Sequence, residues 1–144
     1  MKHTISFVIP ALNEQDSIEQ LHAEILEVCQ KNGLEFEIVF VDDGSTDQTW
    51  SKMQQLCSGH HSTHAIRFRQ NFGKAAALRA GAIETKNELI VTMDADLQDD
   101  PAEVPNLLAK LNEGFDVVSG WKQVRHDPLA VSYTHLTLPT TPYV

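Results

Sequence analysis

The sequence predicts an α/β fold with a mainly parallel sheet and helices on both faces. Short apolar runs of strand length alternate with segments whose apolar residues recur at helical spacing. That alternation is typical of parallel strands joined by helical crossovers. Each apolar run also ends in a cluster of polar or charged residues. Parallel strands bring such clusters to one edge of the sheet, which is where open α/β sheets bind ligands.

The first half of the chain predicts two strands, each followed by a helix. Residues 5–9 form the first strand, and the helix after it ends before Asn32-Gly33, a pair typical of a helix C-terminus. Residues 36–41 form the second strand, which is rich in β-branched residues. Ser45, with Gln48 three residues later, fits a capping box for the second helix.

The second half continues the same alternation. In chain order it predicts a strand over 63–68, a helix over 75–83, a strand beginning at Leu89, a helix beginning at Pro101 and a strand over 115–119. Proline suits a first helical turn, because its missing N–H has no intrahelical partner there. The apolar run that begins at Leu89 stops at two carboxylates, Asp94 and Asp96.

Composition narrows the class of protein. The chain of 144 residues has the size of one domain, and 42% hydrophobic with 22% charged residues is ordinary globular composition. A formal net charge of -9 argues against nucleic-acid binding, which needs a basic surface. We expect Cys29 and Cys57, which lie among apolar residues, to be reduced thiols. Because no secretory leader or membrane-spanning stretch is evident, we expect the chain as given to be cytoplasmic.

Asp94 and Asp96 are the first candidate site. They follow a buried strand at the edge where ligands bind, and hard divalent cations prefer oxygen ligands and bridge phosphates. We therefore expect a divalent cation here, although a simple turn before a helix is an open alternative. An EF-hand is excluded, because a loop counted from Asp94 lacks the required glycine and glutamate.

Three other loops place candidate side chains at the same edge. The Asp43 carboxylate can accept a hydrogen bond from a ribose hydroxyl or a base N–H. Lys74 lies in a glycine-containing turn at a helix start, where a cation and backbone N–H groups could face phosphate. Glu14 follows the first strand. Purely structural roles stay open for all three: a helix-start residue for Asp43, a helix cap for Glu14 and a solvated surface lysine for Lys74.

The candidate residues belong to five longer motifs. In chain order these are Val8-Ile9-Pro10-Ala11-Leu12-Asn13-Glu14, Val41-Asp42-Asp43-Gly44-Ser45-Thr46-Asp47, Arg69-Gln70-Asn71-Phe72-Gly73-Lys74-Ala75-Ala76-Ala77-Leu78, Met93-Asp94-Ala95-Asp96-Leu97-Gln98-Asp99-Asp100-Pro101, and Gly120-Trp121-Lys122 with Arg125. Together they resemble the family 2 glycosyltransferases of the GT-A fold, and most closely the dolichol- or undecaprenyl-phosphate sugar transferases. The resemblance covers residues 1–129.

The resemblance implies a Rossmann-like GT-A nucleotide-binding domain over 1–129 and a role for each motif. Nucleotide-sugar binding is implied for Pro10, Leu12, Glu14, Val41, Asp43, Lys74, Asp94, Ala95, Asp96 and Arg125. The implied ligands of Mg²⁺ or Mn²⁺ are Asp94, Asp96 and Gln98. The implied catalytic residues are Asp94, Asp96 and Arg125, of which Arg125 would meet a phosphate.

The implied function is inverting, metal-dependent transfer of a sugar from a UDP- or GDP-sugar to a polyprenyl phosphate lipid, in cell-envelope biogenesis. A lipid phosphate is already anionic, so no general base is obligatory. Two alternatives stay open. One is a family 2 transferase acting on a polysaccharide or cell-envelope glycan, and the other is an inactive donor-binding fragment.

The end of the chain departs from the family pattern. Residues 131–144 are rich in Thr and Pro and match nothing in the family. We therefore expect a truncated chain with a disordered or non-native tail over 130–144. Family members continue through acceptor-site segments and amphipathic or transmembrane helices. The resemblance thus implies that the full-length protein associates with the cytoplasmic face of the inner membrane through the missing C-terminal part.

Overall fold

A computed structural model gives the fold and describes residues 3–120 and 135–137. The strands are β1 (Thr4–Ala11), β2 (Glu35–Asp42), β3 (Thr63–Arg67), β4 (Leu89–Thr92), β5 (Val117–Ser119) and β6 (His135–Thr137). The helices are α1 (Ile18–Lys31), α2 (Thr49–Gly59), α3 (Lys74–Glu84) and α4 (Val104–Leu111), and a 3₁₀ turn (Pro101–Glu103) precedes α4. Within this described part of the chain, none of the helices is long and apolar enough to cross a membrane.

The predicted parallel sheet is confirmed for β1 to β4. The six strands lie in the order β3-β2-β1-β4-β6-β5. β1 pairs in parallel with β2 on one side and β4 on the other, and β2 pairs in parallel with β3. In β1, which pairs on both sides, Ile5, Phe7, Val8 and Ile9 are fully buried. Burial on both faces is the expected environment of a central parallel strand.

β6 departs from the expected arrangement. It pairs antiparallel with both β4 and β5 and lies between them. Three residues from the range expected to be a disordered tail thus occupy a position in the sheet. Their pairing satisfies backbone N–H and C=O groups of β4 that would otherwise form a sheet edge. The domain limits 1–129 and 130–144 stay a prediction.

Helices cover the two faces of the sheet unequally. α1, α2 and α4 pack over the larger core, which contains Phe7, Phe40 and Met53. α3 packs against the opposite face of β1 and β2. Its Gly81 approaches the sheet so closely that an added Cβ would lie 2.5 Å from Val8 Cγ1. The close approach sets the position of α3, whose first residue is Lys74.

The start of α2 differs from the prediction. The helix begins at Thr49, and the side chain of Gln48 makes no capping hydrogen bond. Asp47 Oδ1 instead accepts a hydrogen bond from Thr49 N at 2.9 Å. The predicted cap, Ser45, uses its Oγ to accept a hydrogen bond from Asn13 N in the loop after β1. The capping-box prediction is therefore wrong, because the Ser45 hydroxyl joins two loops rather than closing a helix.

Both cysteines are free thiols, as expected. Cys29 is buried within α1, and burial raises the pKa of this thiol to about 12. Cys57 is partly buried, and burial raises its pKa as well. Since the thiolate is the reactive form of cysteine, burial makes both thiols less reactive than an exposed one.

His22 is an ionisable side chain held in the core, with 2% of its surface exposed. Its Nε2 lies 2.9 Å from Thr63 Oγ1, at the start of β3. Burial, and to a lesser extent the neighbouring His60 imidazole, lowers the pKa of His22 to about 4. The folded protein therefore holds a neutral imidazole that the unfolded chain, with the ordinary pKa of 6.5, would protonate.

We predict that the free energy of unfolding decreases as the pH falls from 6.5 towards 4, because only the unfolded state gains a proton on His22 in this range. The full loss from this residue is about 3 kcal/mol. Denaturant unfolding at a series of pH values measures it. His22→Asn should show a shallower pH dependence, whereas the exposed His61→Asn should keep the wild-type slope. Equal slopes for wild type and His22→Asn would contradict the assignment.

Candidate functional site

A cleft of about 390 Å³ opens at the carboxyl ends of β1, β2 and β4, and we call it the strand-end cleft. It is lined by Pro10, Ala11, Leu12, Glu14, Asp43, Asn71, Gly73, Lys74, Asp94, Ala95 and Asp96. Most of the residues expected to bind a nucleotide sugar therefore meet here. A larger hollow of about 520 Å³ lies beside α2 and β3. The strand-end cleft is the stronger candidate, because it gathers the carboxylates and a cation at the edge where such sheets bind ligands.

Two of the residues expected at the site, Val41 and Gln98, do not line the strand-end cleft, and a third falls outside the described residues. Val41 is fully buried within β2, where it packs with Ala77 of α3, so its side chain belongs to the core. Gln98 is exposed, and its backbone N–H donates to Asp96 Oδ1 at 3.1 Å. Arg125 lies outside the described residues, as do Trp121 and Lys122, and its role stays a prediction.

A tight turn after β4 presents Asp94 and Asp96. Asp94 N donates to Asp99 Oδ2 at 2.9 Å, and Asp96 Oδ1 accepts from Gln98 N. Leu97 has a φ of 67°, in the left-handed region that is costly for a leucine. Its side chain packs against the core, which holds this conformation in place. Asp99 thus positions the turn. The sequence pattern did not distinguish this role from that of a further metal ligand.

Lys74 and Asp94 form an ion pair across the strand-end cleft. The Lys74 side chain is 61% exposed and that of Asp94 is 20% exposed, so the pair lies at the mouth of the cleft. Gly73, with a φ of 98°, is the N-cap of α3 and supplies no side-chain cap. The first backbone N–H groups of α3 and the Lys74 ammonium therefore create a local positive region that favours anions.

Reciprocal hydrogen bonds join the loops after β1 and β2. Asn13 N donates to Ser45 Oγ, and Thr46 N donates to Asn13 Oδ1, both at 2.9 Å. Asn13 has a φ of 54°, which asparagine adopts more readily than most residues. The next residue, Glu14, donates its N–H to Thr49 Oγ1 at 2.9 Å. The two loops thus form one continuous wall of the cleft.

Asp42 and Asp43 are adjacent but have different roles. Asp42 is fully buried, and its Oδ1 accepts from Ser45 N at 3.0 Å, so it shapes the turn after β2. Asp43 lines the strand-end cleft, and its Oδ1 accepts from Phe72 N at 2.8 Å. Asp43 therefore holds the loop after β3 in place while it faces the cleft. The helix-start role considered for Asp43 falls instead to Asp47.

Glu14 adds to the negative charge of the cleft. Its partial burial raises the pKa of this carboxyl, against the opposing effect of a hydrogen bond that Oε2 accepts from Ser17 Oγ at 3.1 Å. The nearby carboxylates of Asp96, Asp47 and Asp94 raise the pKa further. The carboxylates thus give the strand-end cleft a negative charge that attracts a cation. Lys74 is the positive side chain among the lining residues.

The donor set suits a hard divalent cation. Asp94 and Asp96 offer only oxygen ligands, which Mg²⁺ and Mn²⁺ prefer. Among the residues that the structure describes, no three His, Cys, Asp or Glu side chains come close enough to form a metal site by themselves. A cation bound here therefore needs further ligands, such as phosphate oxygens or water. Mg²⁺ characteristically binds in this way, through one or two carboxylates together with substrate phosphates.

The chain belongs to glycosyltransferase family 2. The model of this family, described as Glycosyl transferase family 2, matches residues 6–140. Among its relatives are the undecaprenyl-phosphate 4-deoxy-4-formamido-L-arabinose transferases of Enterobacter sp. (strain 638) and Salmonella paratyphi B. They are 41% and 40% identical to it over 127 residues. Each match covers 87% of this chain and 38% of the relative. The chain thus spans well under half the length of these relatives.

Solved structures of GT-A glycosyltransferases share the fold. The mannosyltransferase from Pyrobaculum calidifontis in complex with GDP-Man and Mn²⁺ aligns with a TM-score of 0.75 at 26% identity, over 85% of this chain and 36% of that one. The glucosyl-3-phosphoglycerate synthase from Mycobacterium tuberculosis, in complex with Mn²⁺, UDP and phosphoglyceric acid, aligns with a TM-score of 0.73 at 26% identity. That alignment covers 95% of this chain and 56% of that one. The predicted α/β GT-A fold is confirmed.

Gly44 marks a close approach of two backbones at the wall of the cleft. Its φ is 83°, and an added Cβ would lie 2.6 Å from both Asn71 N and Gln70 C. Because those atoms belong to the backbone, the loop after β3 would have to move. We predict that Gly44→Ala destabilises the fold by about 2 kcal/mol or more, from left-handed strain and overpacking.

Denaturant unfolding measures the effect of Gly44→Ala. Gly59→Ala is the matched control, because a Cβ there meets nothing within 4 Å. We expect the control to be neutral or slightly stabilising. Equal losses for the two variants would show that the close approach at Gly44 does not constrain the fold.

Proposed function

We propose that this chain is the donor-binding part of an inverting, metal-dependent glycosyltransferase that transfers a sugar from a UDP- or GDP-sugar to a polyprenyl phosphate. The observation that carries the proposal is the meeting of Asp94, Asp96 and Lys74 in one cleft at the strand ends. The relatives named as undecaprenyl-phosphate sugar transferases support the acceptor class. The neighbours solved with GDP-Man or UDP and with Mn²⁺ support the donor class and a metal.

The nucleoside is assigned to the wall formed by the loops after β1 and β2. Asp43 and Glu14 offer carboxylate oxygens that accept hydrogen bonds from ribose hydroxyls or a base N–H. The bond from Phe72 N already orients Asp43, so less side-chain entropy is lost on binding. Leu12, which is 40% exposed, and Pro10 provide an apolar surface on which a base can lie.

The diphosphate is assigned to the opposite side of the cleft. A divalent cation, when bound at Asp94 and Asp96, offsets the charge that builds on the departing nucleoside diphosphate. The Lys74 ammonium and the N–H groups at the start of α3, which have no side-chain cap, add positive charge on that side. Arg125 is assigned to a phosphate of the donor or the acceptor, as the family resemblance implies.

The acceptor class rests on the relatives, and the cellular location rests on the family resemblance, rather than on the strand-end cleft. A phosphate acceptor is an anionic nucleophile, so the chain need not supply a general base for it. We assign the full-length protein to the cytoplasmic face of the inner membrane, where a lipid phosphate and a nucleotide sugar can meet. Assaying this chain for transfer to undecaprenyl phosphate tests the assignment. Donor binding without any transfer would identify the chain as an inactive donor-binding fragment.

Calorimetric titration of the chain with UDP and GDP, with and without Mn²⁺, tests the donor site. We expect at least one nucleotide to bind more tightly when Mn²⁺ is present. Asp96→Ala should weaken that metal-dependent binding by about tenfold or more, because it removes one of the two carboxylates. Asp116→Ala removes an exposed carboxylate before β5 and should change little. Metal-independent binding, or an Asp96→Ala variant that binds like wild type, would show that the site is wrongly assigned.

A further inference from the structure

We propose that Lys74 is an exchangeable counter-ion for Asp94, which makes metal binding depend on the nucleotide. In the structure the Lys74 ammonium contacts Asp94 Oδ1, one of the oxygens that a divalent cation would use. The inference rests on the proposed function, since it assumes that metal and nucleotide share the strand-end cleft. It adds a role for Lys74 beyond phosphate contact.

The charges around Asp94 explain why a counter-ion is needed. Asp94 and Asp96 line the cleft together with Glu14. Because these three carboxylates line one cleft, their negative charges repel one another. The Lys74 ammonium offsets that repulsion. A divalent cation at Asp94 would be repelled by an ammonium on the same carboxylate, so the two compete for it.

The local structure allows Lys74 to leave Asp94 without moving the backbone. Phe72 N donates a hydrogen bond to Asp43 Oδ1 at 2.8 Å, and Gly73 N donates one to Asn71 Oδ1 at 2.9 Å. The loop is therefore anchored, whereas the Lys74 side chain is 61% exposed and has a long flexible stem. A rotation of this side chain suffices to exchange its partner.

The position of Lys74 supplies the partner for that exchange. A lysine at the first position of a helix lies at the positive end of the helix dipole, which disfavours a cation and favours phosphate. A diphosphate that reaches the start of α3 gives the ammonium an anion to replace Asp94. Bound nucleotide then raises the affinity for the metal, and bound metal raises the affinity for the nucleotide by the same factor.

Measurement of Mn²⁺ affinity by electron paramagnetic resonance, without nucleotide and with UDP or GDP, tests the exchange. Lys74→Met should bind Mn²⁺ alone about two- to fivefold more tightly than wild type, the range expected from releasing a half-exposed ion pair. Its gain in Mn²⁺ affinity on adding nucleotide should be smaller than that of wild type. Arg79→Met, which removes the same charge from an exposed position of α3, is the control for net charge.

Two further variants separate this role from a general effect. Lys74→Arg keeps the ion pair and should bind Mn²⁺ alone like wild type. In an Asp94→Asn background, Lys74→Met should no longer change the Mn²⁺ affinity, because the carboxylate for which the ammonium and the metal compete is gone. Thermal melts check that each variant is folded.

The outcomes distinguish the inference from the proposed function. If wild type shows no metal-dependent binding of UDP or GDP, the proposed function fails and the inference fails with it. If wild type binds them in a metal-dependent way but Lys74→Met binds Mn²⁺ alone no more tightly than Arg79→Met, only the inference is overturned.

Discussion

The parallel pairing of β1 between β2 and β4 is the constraint on which the site depends. Ala11 lies opposite Asp42 in the β1–β2 register, so the loops that carry Glu14 and Asp43 leave the sheet side by side. Thr92 lies opposite Val8, which brings the turn after β4 level with the end of β1. Because the strands are parallel, their carboxyl ends, and therefore all these turns, lie at one edge of the sheet.

The strand-end cleft balances opposite charges within a strongly acidic chain. Its carboxylates come from the loops after β1, β2 and β4, whereas its positive charge comes from the start of α3. The close packing of Gly81 on the sheet sets where that helix begins. A packing contact on the far face of the sheet therefore helps to determine how Lys74 meets Asp94.

Local patterns predicted the elements well and their contacts poorly. The strands and helices lie within a few residues of the predicted positions, because apolar periodicity reflects which face of each segment is buried. Ser45 was predicted to cap α2, but its hydroxyl bonds Asn13 in another loop. Serine hydroxyls suit either partner, and the neighbouring backbone N–H that comes closest decides between them. β6 was missed for a similar reason, since the pairing that makes it a strand comes from β4 and β5.

The sequence by itself determined the α/β class, the alternation of strands and helices over residues 5–119 and the presence of carboxylates at the ends of several strands, because these follow from the local order of apolar and polar residues. Only the tertiary structure decided which loops touch. The contacts Asn13–Ser45, Asp43–Phe72 and Lys74–Asp94 join residues 32, 29 and 20 positions apart. No local pattern encodes such distances. The register of the sheet and the packing of α3 on it produce these contacts, and the contacts join separate polar loops into one site.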